Sequence, residues 1–426
     1  MSPIIEASTT RERWDRIMVG NYGTPPVTFV RGSGTELFDE DGKRYLDFLC
    51  GLAVTGLGHA HPQIAKALAE QASTLLHVSN LFVTEPQLEV AERLDRLIRS
   101  GPGEDGQTGR VLFQNSGAEA NEAAIKMARK YHGRGRHGVV AAFRSFHGRT
   151  MATLAATGQP EKHEPFQPLP EGFRHAAWND LDALKAVLDP EVGAVLLEPL
   201  QGEGGVNPAE TEYLRGVRQI CDERGLVLIL DEVQTGLGRT GKWFGFHHAG
   251  IQPDVVTMAK GLGNGVPIGA VWAVDEVASA FGPGDHGSTF AGQPLAASAA
   301  RAVLRILEEI EAPRLAAERG AELAALLEGL AGVASVRGLG LLLAVELDTN
   351  VLASRTAPEV ALACLNAGLV VNGVTPTALR MAPPLTVSSD ELTQGVEILA
   401  GILGSSPCDV EQADSVLSDG QGKEGE

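Results

Sequence analysis

Short apolar segments alternate with amphipathic segments through the middle of the chain. The apolar segments are rich in β-branched residues and almost free of charge; they lie at 110–114, 138–143, 192–199, 226–232, 254–260 and 269–274. Strands of a mainly parallel sheet show this pattern when both faces are covered, because neither face meets water. Helical periodicity lies between them, as in GAEANEAAIKMARKYH and in a stretch that ends at Gly225. The pattern predicts an α/β domain whose ligand site lies at the carboxyl ends of the strands.

The two ends of the chain follow a different pattern. Residues 27–49 form short strand-like runs around the turn DEDGK, which predicts a small antiparallel meander. Beyond residue 300 a long helix leads to a hairpin at VASVRGLGLLLAVEL and a strand at LRMAPPL, typical of a smaller α+β unit. We therefore expect four parts: an N-terminal segment of a small domain (11–55), a large ligand-binding domain (56–304), the C-terminal part of the small domain (305–404) and a disordered acidic tail (405–426).

Composition limits the classes of partner. The net charge of −19 disfavours nucleic acid and anionic membrane surfaces as partners. The sequence has no apolar run of membrane-spanning length and no signal-peptide pattern at its N-terminus. Four widely spaced cysteines and eleven histidines show no ligand spacing, so we expect free thiols, no metal and a cytoplasmic protein.

The stretch LILDEVQTGLGRTGKWFGF, residues 228–246, contains a near match to a phosphate-binding loop. Trp243 stands where such a loop needs a Ser or Thr for magnesium, and the helix expected after it is missing. Asp231 would also repel incoming phosphates. A nucleotide site is therefore disfavoured, although a P-loop NTPase stays as a distant alternative.

A better interpretation joins Asp231 to Lys260, since each ends a predicted strand of one sheet. An acid facing a lysine is usually a plain salt bridge. Here, however, residues 116–118 begin a helix whose free N–H groups suit a phosphate, and residues 287–290 add hydroxyls. A reactive lysine, an acid and a phosphate site together meet the needs of pyridoxal 5'-phosphate (PLP).

At these residues the chain resembles the class III aminotransferases of PLP fold type I, from about Arg13 to Leu403. The motifs that carry the resemblance are SGAEANEAAIKMARK, FHGRT, LEPLQGEGGV, LILDEVQTGLGRTGKWFGF, MAKGLGNGVPIGAV and GSTFAGQPLA. The resemblance implies a large PLP-binding domain with a mainly parallel central sheet and a small α+β domain built from both chain ends. It also implies a homodimer whose active sites are shared between subunits.

The resemblance implies a role for each matching residue near the cofactor. Lys260 would form a Schiff base with the aldehyde and later move the substrate proton, and Asp231 would keep the pyridine nitrogen protonated. The other implied contacts are phosphate binding by the backbone of Gly117 and Ala118, ring packing by Phe146 and Val233, a hydrogen bond from Gln234 to the phenolic oxygen, and Thr289 at the phosphate of the neighbouring subunit.

Substrate recognition is implied at five further positions. Arg149 and Arg380 match carboxylate clamps, because a guanidinium binds a carboxylate with two parallel hydrogen bonds. Tyr22 and Ser288 match residues that contact the substrate. Glu203 would pair with Arg380 and release it when the substrate is glutamate, which has a second carboxylate.

Within the family, the segments 11–62 and 374–385 most resemble members that act on N-acetyl-L-ornithine with 2-oxoglutarate. Relatives acting on succinylornithine, N-succinyl-diaminopimelate, ornithine or 4-aminobutyrate stay as alternatives, as does a catalytically silent relative. Leu52 replaces a tyrosine of ornithine aminotransferases, which favours an acylated substrate. Asn264 and Gln293 also depart from the family pattern, near the expected rim of the cofactor.

Overall fold

The computed structural model of the protein describes residues 9–101 and 108–404. Seventeen strands lie in these ranges: β1 Phe29–Ser33, β2 Glu36–Asp39, β3 Arg44–Asp47, β4 Gly109–Gln114, β5 Gly138–Ala142, β6 Phe173–Ala176, β7 Val192–Leu197, β8 Leu200–Gln201, β9 Asn207–Pro208, β10 Val227–Asp231, β11 Val255–Met258, β12 Gly269–Val274, β13 Val333–Leu339, β14 Leu342–Leu347, β15 Leu369–Val370, β16 Asn372–Gly373 and β17 Ala378–Met381. The predicted tail at 405–426 lies outside the described residues.

The helices of the same ranges surround these strands. They are α1 Thr10–Ile17, α2 Cys50–Ala53, α3 Pro62–Thr74, α4 Glu85–Ile98, α5 Gly117–His132, α6 Met151–Ala156, α7 Pro160–His163, α8 Leu181–Val187, α9 Thr211–Arg224, α10 Asp275–Ala278, α11 Pro294–Glu309, α12 Ala312–Glu328, α13 Thr349–Leu352, α14 Ala357–Asn366 and α15 Ser389–Gly404. Short 3-10 turns lie at Gly20–Tyr22, Glu164–Phe166, Gly245–His248 and Lys260–Leu262. In the described part of the chain, no helix has both the length and the apolar character to cross a membrane.

A seven-stranded sheet forms the centre of the large domain, in the order β4-β12-β11-β10-β7-β5-β6. Neighbouring strands are parallel except at β12, which runs antiparallel to both β11 and β4. This confirms the predicted α/β class and the mainly parallel sheet. Strand β6 was missed in the sequence, because its Arg174 and His175 give this half-buried edge strand the composition of a loop.

Two predicted helix boundaries are confirmed at single-residue level. Helix α5 begins at Gly117 after the N-cap Ser116, whose hydroxyl accepts a hydrogen bond from the backbone N–H of Glu119. Helix α9 ends before Gly225, which has the left-handed conformation (φ 58°, ψ 50°) that favours glycine at this position. Local sequence signals therefore set these boundaries.

The small domain combines both ends of the chain, as the resemblance implied. The predicted meander is formed by β1, β2 and β3, and β15 pairs in parallel with β3, with Leu369 opposite Leu46. The predicted hairpin is β13–β14, and it pairs through β14 with β17, the strand of the LRMAPPL motif. The boundaries proposed for the individual domains stay predictions.

The register of the central sheet determines where the chemistry lies. Strands β10 and β11 are parallel neighbours, with Asp231 opposite Thr257. Because Lys260 follows Thr257 by three residues, the acid and the lysine reach the same edge of the sheet. The glycine-rich segment after Asp231 forms a run of turns, and it leads into the buried aromatic pair Phe244 and Phe246.

Candidate active site

A cavity of about 410 Å³ lies at the carboxyl ends of the central strands. Most of the residues predicted for the site line it: Gly117, Ala118, Phe146, Arg149, Glu203, Asp231, Val233, Gln234 and Lys260. Arg380 does not line the cavity but contacts Glu203 and Gln234, which do. The tertiary structure thus brings together cavity-lining residues from five separate segments of the sequence, with Arg380 from a sixth.

Asp231 is a buried carboxylate with three hydrogen-bond partners. Asn121 Nδ2 donates to its Oδ2 at 2.8 Å, His147 Nδ1 lies 2.8 Å from the same oxygen, and the backbone N–H of Val233 donates to Oδ1 at 3.1 Å. Asn121 is itself held, because the Thr257 hydroxyl donates to its Oδ1 at 2.7 Å. These contacts fix the direction of the carboxylate.

Asn121 and His147 were both missed in the sequence. His147 follows Phe146 within the motif FHGRT, and Asn121 lies one turn after the start of α5. The signal for Asn121 was its position among apolar residues, since it is a buried amide on the helix face that packs against the sheet. His147 could have been found only from its position in the motif FHGRT.

Lys260 follows β11 with a left-handed backbone (φ 39°), a conformation that is costly for a residue with a Cβ atom. Its amine makes no hydrogen bond to any described residue. Burial lowers the pKa of the Lys260 amine, although the carboxylates of Glu203 and Asp231 act in the opposite direction. A lysine with a lowered pKa is neutral for more of the time at ordinary pH, and a neutral amine can act as a nucleophile or base.

The first turn of α5 is open toward the cavity. No described residue accepts from the backbone N–H groups of Gly117 and Ala118, and both residues line the cavity. A Cβ atom at Gly117 would lie 2.8 Å from Val233 Cγ1, so a larger residue there would displace a cavity wall. The free N–H groups and the helix dipole together suit an anion such as phosphate.

Phe146 connects the cavity wall to a second buried acid, Glu198. The backbone N–H groups of Phe146 and Gly202 donate to the two carboxylate oxygens of Glu198, each at 3.2 Å. Burial raises the pKa of Glu198 well above its usual range, and the nearby charge of Asp231 adds to this effect. Glu198 was missed in the sequence, although it lies in the motif LEPLQGEGGV that directed attention to Glu203.

Glu203 and Arg380 form an ion pair, with Arg380 Nη1 donating to Glu203 Oε1 at 2.5 Å. The Arg380 side chain is 0% exposed and that of Glu203 is 29% exposed. Arg380 also donates from Nε to Asn372 Oδ1 at 3.1 Å and from Nη1 to Gln234 Oε1 at 3.4 Å. Its Nη2 has no partner in the described chain, so the buried guanidinium keeps a free donor.

Tyr22, Ser288 and Thr289 do not line the cavity of this single chain. Tyr22 is 84% exposed and Thr289 is also exposed. Ser288 is half-buried and its hydroxyl accepts a hydrogen bond from Asn115 Nδ2 at 2.8 Å. Their proposed contacts with substrate or with a neighbouring subunit stay predictions.

The three departures from the family pattern also have structural positions. Leu52 lies in a left-handed turn, with positive φ from Cys50 to Ala53, and its carbonyl accepts from Gln234 Nε2 at 3.3 Å. Asn264 bridges the backbones of Leu57 and Gly58, and Gln293 accepts from the backbone N–H groups of residues 78 and 79. Asn264 and Gln293 thus brace loops by side-chain to backbone hydrogen bonds.

A fold-type-I sheet with an acid, a lysine and a helix N-terminus around one cavity defines the class of PLP-dependent transaminases. The chain belongs to the class III aminotransferases, whose family model matches residues 18–403. The activity of this class is the transfer of an amino group.

Curated relatives and solved structures agree with this assignment. An acetylornithine aminotransferase of Corynebacterium efficiens is 48% identical over 406 residues, which cover 95% of this chain and 99% of that protein. One from Methanocaldococcus jannaschii is 45% identical and covers 87% of this chain and 92% of that protein. An ornithine aminotransferase structure from Toxoplasma gondii has a TM-score of 0.86 at 30% identity, covering 96% and 97% of the chains. An N-acetylornithine aminotransferase structure from Stenotrophomonas maltophilia has a TM-score of 0.76 at 34% identity, covering 90% and 97%.

The site fits PLP, the cofactor of this family. The uncovered N–H groups at Gly117 and Ala118 suit the phosphate, and the held carboxylate of Asp231 suits a protonated ring nitrogen. The free amine of Lys260 suits the aldehyde. The fit thus rests on three separate features of this chain.

Proposed function

We propose that the protein transfers the amino group of N2-acetyl-L-ornithine to 2-oxoglutarate, giving N-acetyl-L-glutamate 5-semialdehyde and L-glutamate, a step of arginine biosynthesis. Relatives at 44–48% identity that cover most of the chain carry the name acetylornithine aminotransferase. The observation that carries the proposal is the Glu203–Arg380 ion pair beside Lys260, because this reaction must accept one substrate with two carboxylates and one with a single carboxylate.

When bound, PLP supplies an electron sink for the pair left behind by the substrate α-proton or the equivalent proton of an ω-amine. Asp231, held by Asn121 and His147, would face the ring nitrogen and favour a positive charge there. Lys260 would hold the cofactor through its amine and, once released, would move the proton at the reacting carbon. Val233 and Phe146 both line the cavity and would flank the ring and shield it from water.

The ion pair explains how one site can serve two substrates. With acetylornithine the pair stays closed, since the reacting end of that substrate has no carboxylate and an unpaired buried Arg380 would be costly. Glutamate brings a carboxylate that replaces Glu203 on Arg380, while Arg149 holds the remote carboxylate in either case. Arg149 lines the cavity with its guanidinium carbon 5.6 Å from the centre of the Phe146 ring.

We further infer that the active unit is a homodimer. A row of exposed apolar side chains lies on the segment before and at the start of α4, with Phe290 also exposed next to Thr289; its members are Leu75, Leu76, Leu81, Phe82, Val83 and Leu88. An exposed apolar patch of this kind marks an interface. Burial of this patch against a second copy would bring Ser288 and Thr289 to the interface, which supports a shared site. A cytoplasmic location stays a prediction.

The experiment that tests the proposal compares different amino donors with the same amino acceptor. Rates with acetylornithine, succinylornithine, ornithine and 4-aminobutyrate are measured side by side with 2-oxoglutarate. We expect the highest kcat/KM for acetylornithine. A preference for free ornithine or for 4-aminobutyrate would overturn the proposed substrate while leaving the aminotransferase class intact.

A further inference from the structure

Lys162, in the short helix α7, is a positioned cation beside the active-site cavity. Its Nζ lies 5.9 Å from the centre of the Phe146 ring, a cavity-lining residue, and it donates to Gln159 Oε1. Gln159 is held in turn, because its Nε2 donates to the carbonyl of Ser145 at 2.9 Å. Lys162 is half-buried and forms no ion pair with an acid of the described chain.

The charge of Lys162 reaches Glu203. Burial raises the pKa of Glu203, but the charge and hydrogen bond of Arg380 outweigh burial, and Lys260 and Lys162 lower the pKa further. In return, burial and the charge of Arg149 lower the pKa of Lys162, while the charges of Glu161 and, to a smaller extent, Glu203 oppose this. The ammonium group is therefore incompletely solvated and would gain from an anion at short range.

Opening of the ion pair creates a problem for the carboxylate of Glu203. When a substrate carboxylate takes Arg380, the displaced Glu203 loses its hydrogen-bonded partner while its side chain stays only partly exposed to water. Removal of one partner of such a pair is costly because the other charge is left unpaired. Arg380, Lys260 and Lys162 all stabilise the ionised form of Glu203. Arg380 then binds the substrate carboxylate and Lys260 moves the proton at the reacting carbon, so Lys162 is the cation that remains for Glu203.

Glu203 lies in a tightly packed loop. A Cβ atom at Gly202 would lie 1.6 Å from Gln234 Oε1 and one at Gly204 would lie 2.6 Å from the carbonyl oxygen of Arg144, and Gly205 follows with φ 116°. The loop backbone is therefore held in place, and the carboxylate of Glu203 would change position by rotation of its own partly exposed side chain.

We propose that Lys162 is the counter-ion that receives the Glu203 carboxylate when Arg380 binds a substrate carboxylate. The proposal rests on the proposed function and adds a residue that sets the balance between the two half-reactions. Lys162 would stabilise the open arrangement, which glutamate and 2-oxoglutarate need, and would matter little for acetylornithine, which leaves the pair closed.

The test measures each half-reaction separately in single-turnover experiments on the holoenzyme. For Lys162→Met we expect kcat/KM of the glutamate half-reaction to fall about tenfold, the size expected for loss of a half-buried ion pair. The acetylornithine half-reaction should stay within about twofold. Lys162→Arg keeps the charge and should restore most of the glutamate rate. Lys185→Met, at an exposed lysine of α8 that pairs with Asp182, serves as the matched control.

A double-mutant cycle with Glu203→Gln isolates the interaction. Because the neutral amide introduced by Glu203→Gln needs no counter-ion, adding Lys162→Met to that variant should change the glutamate half-reaction less than about twofold. Calorimetry gives a readout that does not depend on turnover. Glutarate, a dicarboxylate without a reacting group, should bind Lys162→Met about tenfold more weakly than it binds wild type, whereas pentanoate binding should not change.

Three results would overturn the proposal: equal losses in both half-reactions, additive effects in the cycle, or unchanged binding of glutarate. Equal losses would place Lys162 at the carboxylate that both substrates share. Failure of wild type to use acetylornithine would reject the proposed substrate, but the glutamate half-reaction and glutarate binding would still decide the role of Lys162. The two failures are therefore distinguishable.

Discussion

The imidazole of His147 lies 2.8 Å from the carboxylate of Asp231, through Nδ1 and Oδ2, and both side chains are buried. The backbone carbonyl of His147 also accepts a hydrogen bond from Asn121 Nδ2, which donates to the same carboxylate oxygen at 2.8 Å. The acid proposed to face the ring nitrogen is therefore oriented by two side chains that also line the cavity. These contacts set its direction within the chain itself.

Replacement of His147 by Phe should lower kcat about ten- to a hundredfold, because one hydrogen bond to a charged group is worth about 1.5–3 kcal/mol. Phe keeps most of the volume but cannot donate to Asp231. Steady-state kinetics and the cofactor absorption band measure the effect, with exposed His137→Gln as control. An unchanged kcat would mean that Asn121 alone holds the carboxylate.

Replacement of Lys260 by Ala should remove the covalent link to the cofactor and lower turnover by about a thousandfold or more, since both the nucleophile and the proton carrier are lost. Reduction with borohydride followed by mass spectrometry should label the peptide with Lys260 in wild type and leave that peptide unlabelled in the variant. Lys185→Ala should keep the label. Turnover by Lys260→Ala near the wild-type rate would refute the assigned role.

Replacement of Glu203 by Gln should shift the balance between the two half-reactions. Arg380 would lose its ionic partner at 2.5 Å and stay open, which favours glutamate and disfavours acetylornithine. We expect the ratio of the two kcat/KM values to move about tenfold toward glutamate. Glu212→Gln, at a surface ion pair with Arg215, is the control. An unchanged ratio would show that Glu203 does not control access to Arg380.

Gly202 has no space for a side chain. A Cβ atom there would lie 1.6 Å from Gln234 Oε1, so Gly202→Ala must displace the amide that contacts both Leu52 and Arg380. We expect kcat/KM to fall at least about tenfold and stability to fall by about 1–3 kcal/mol. Gly329→Ala, where a Cβ atom would approach no atom closer than 3.7 Å, should behave as wild type. Kinetics and thermal melting of both variants provide the comparison.

Glu232 makes the free energy of unfolding of the protein depend on pH. Burial raises its pKa to about 7, although hydrogen bonds from Thr235 and from backbone N–H groups oppose this. Between its ordinary pKa near 4.5 and about 7 the folded protein therefore binds more protons than the unfolded chain, so stability falls as the pH rises through this window. Each pKa unit corresponds to about 1.4 kcal/mol.

Glu232→Gln stays neutral at every pH and should lack this loss. The melting temperature of the variant relative to wild type should therefore rise between pH 5 and pH 8. Exposed Glu223→Gln should show no such trend. A constant difference across this range would mean that Glu232 is ionised in the folded protein throughout.

Local patterns in the sequence determined the elements and identified the candidate reacting groups. The apolar segments predicted six strands of the central sheet, and cap residues set the ends of α5 and α9, because these signals act between residues close in sequence. The parallel order of the sheet followed from the alternation of strand and helix, so Asp231 and Lys260 could be placed at one edge. The motifs then supplied the family and most of the residues that line the cavity.

Other features depended on contacts between distant parts of the chain. Several contacts of the site join positions that are 26 to 177 residues apart. They are the hydrogen bonds of Asn121 and His147 around Asp231, the hydrogen bond from Phe146 to Glu198, and the pairing of Glu203 with Arg380. The hydrogen bond from Gly202 to Glu198 is local. The pKa shifts of Lys260 and Glu198 arise from burial, which a one-dimensional pattern does not specify for a polar residue. The sequence thus named the reacting groups, and the tertiary structure decided their partners, because burial and electrostatic coupling exist only after distant segments have packed together.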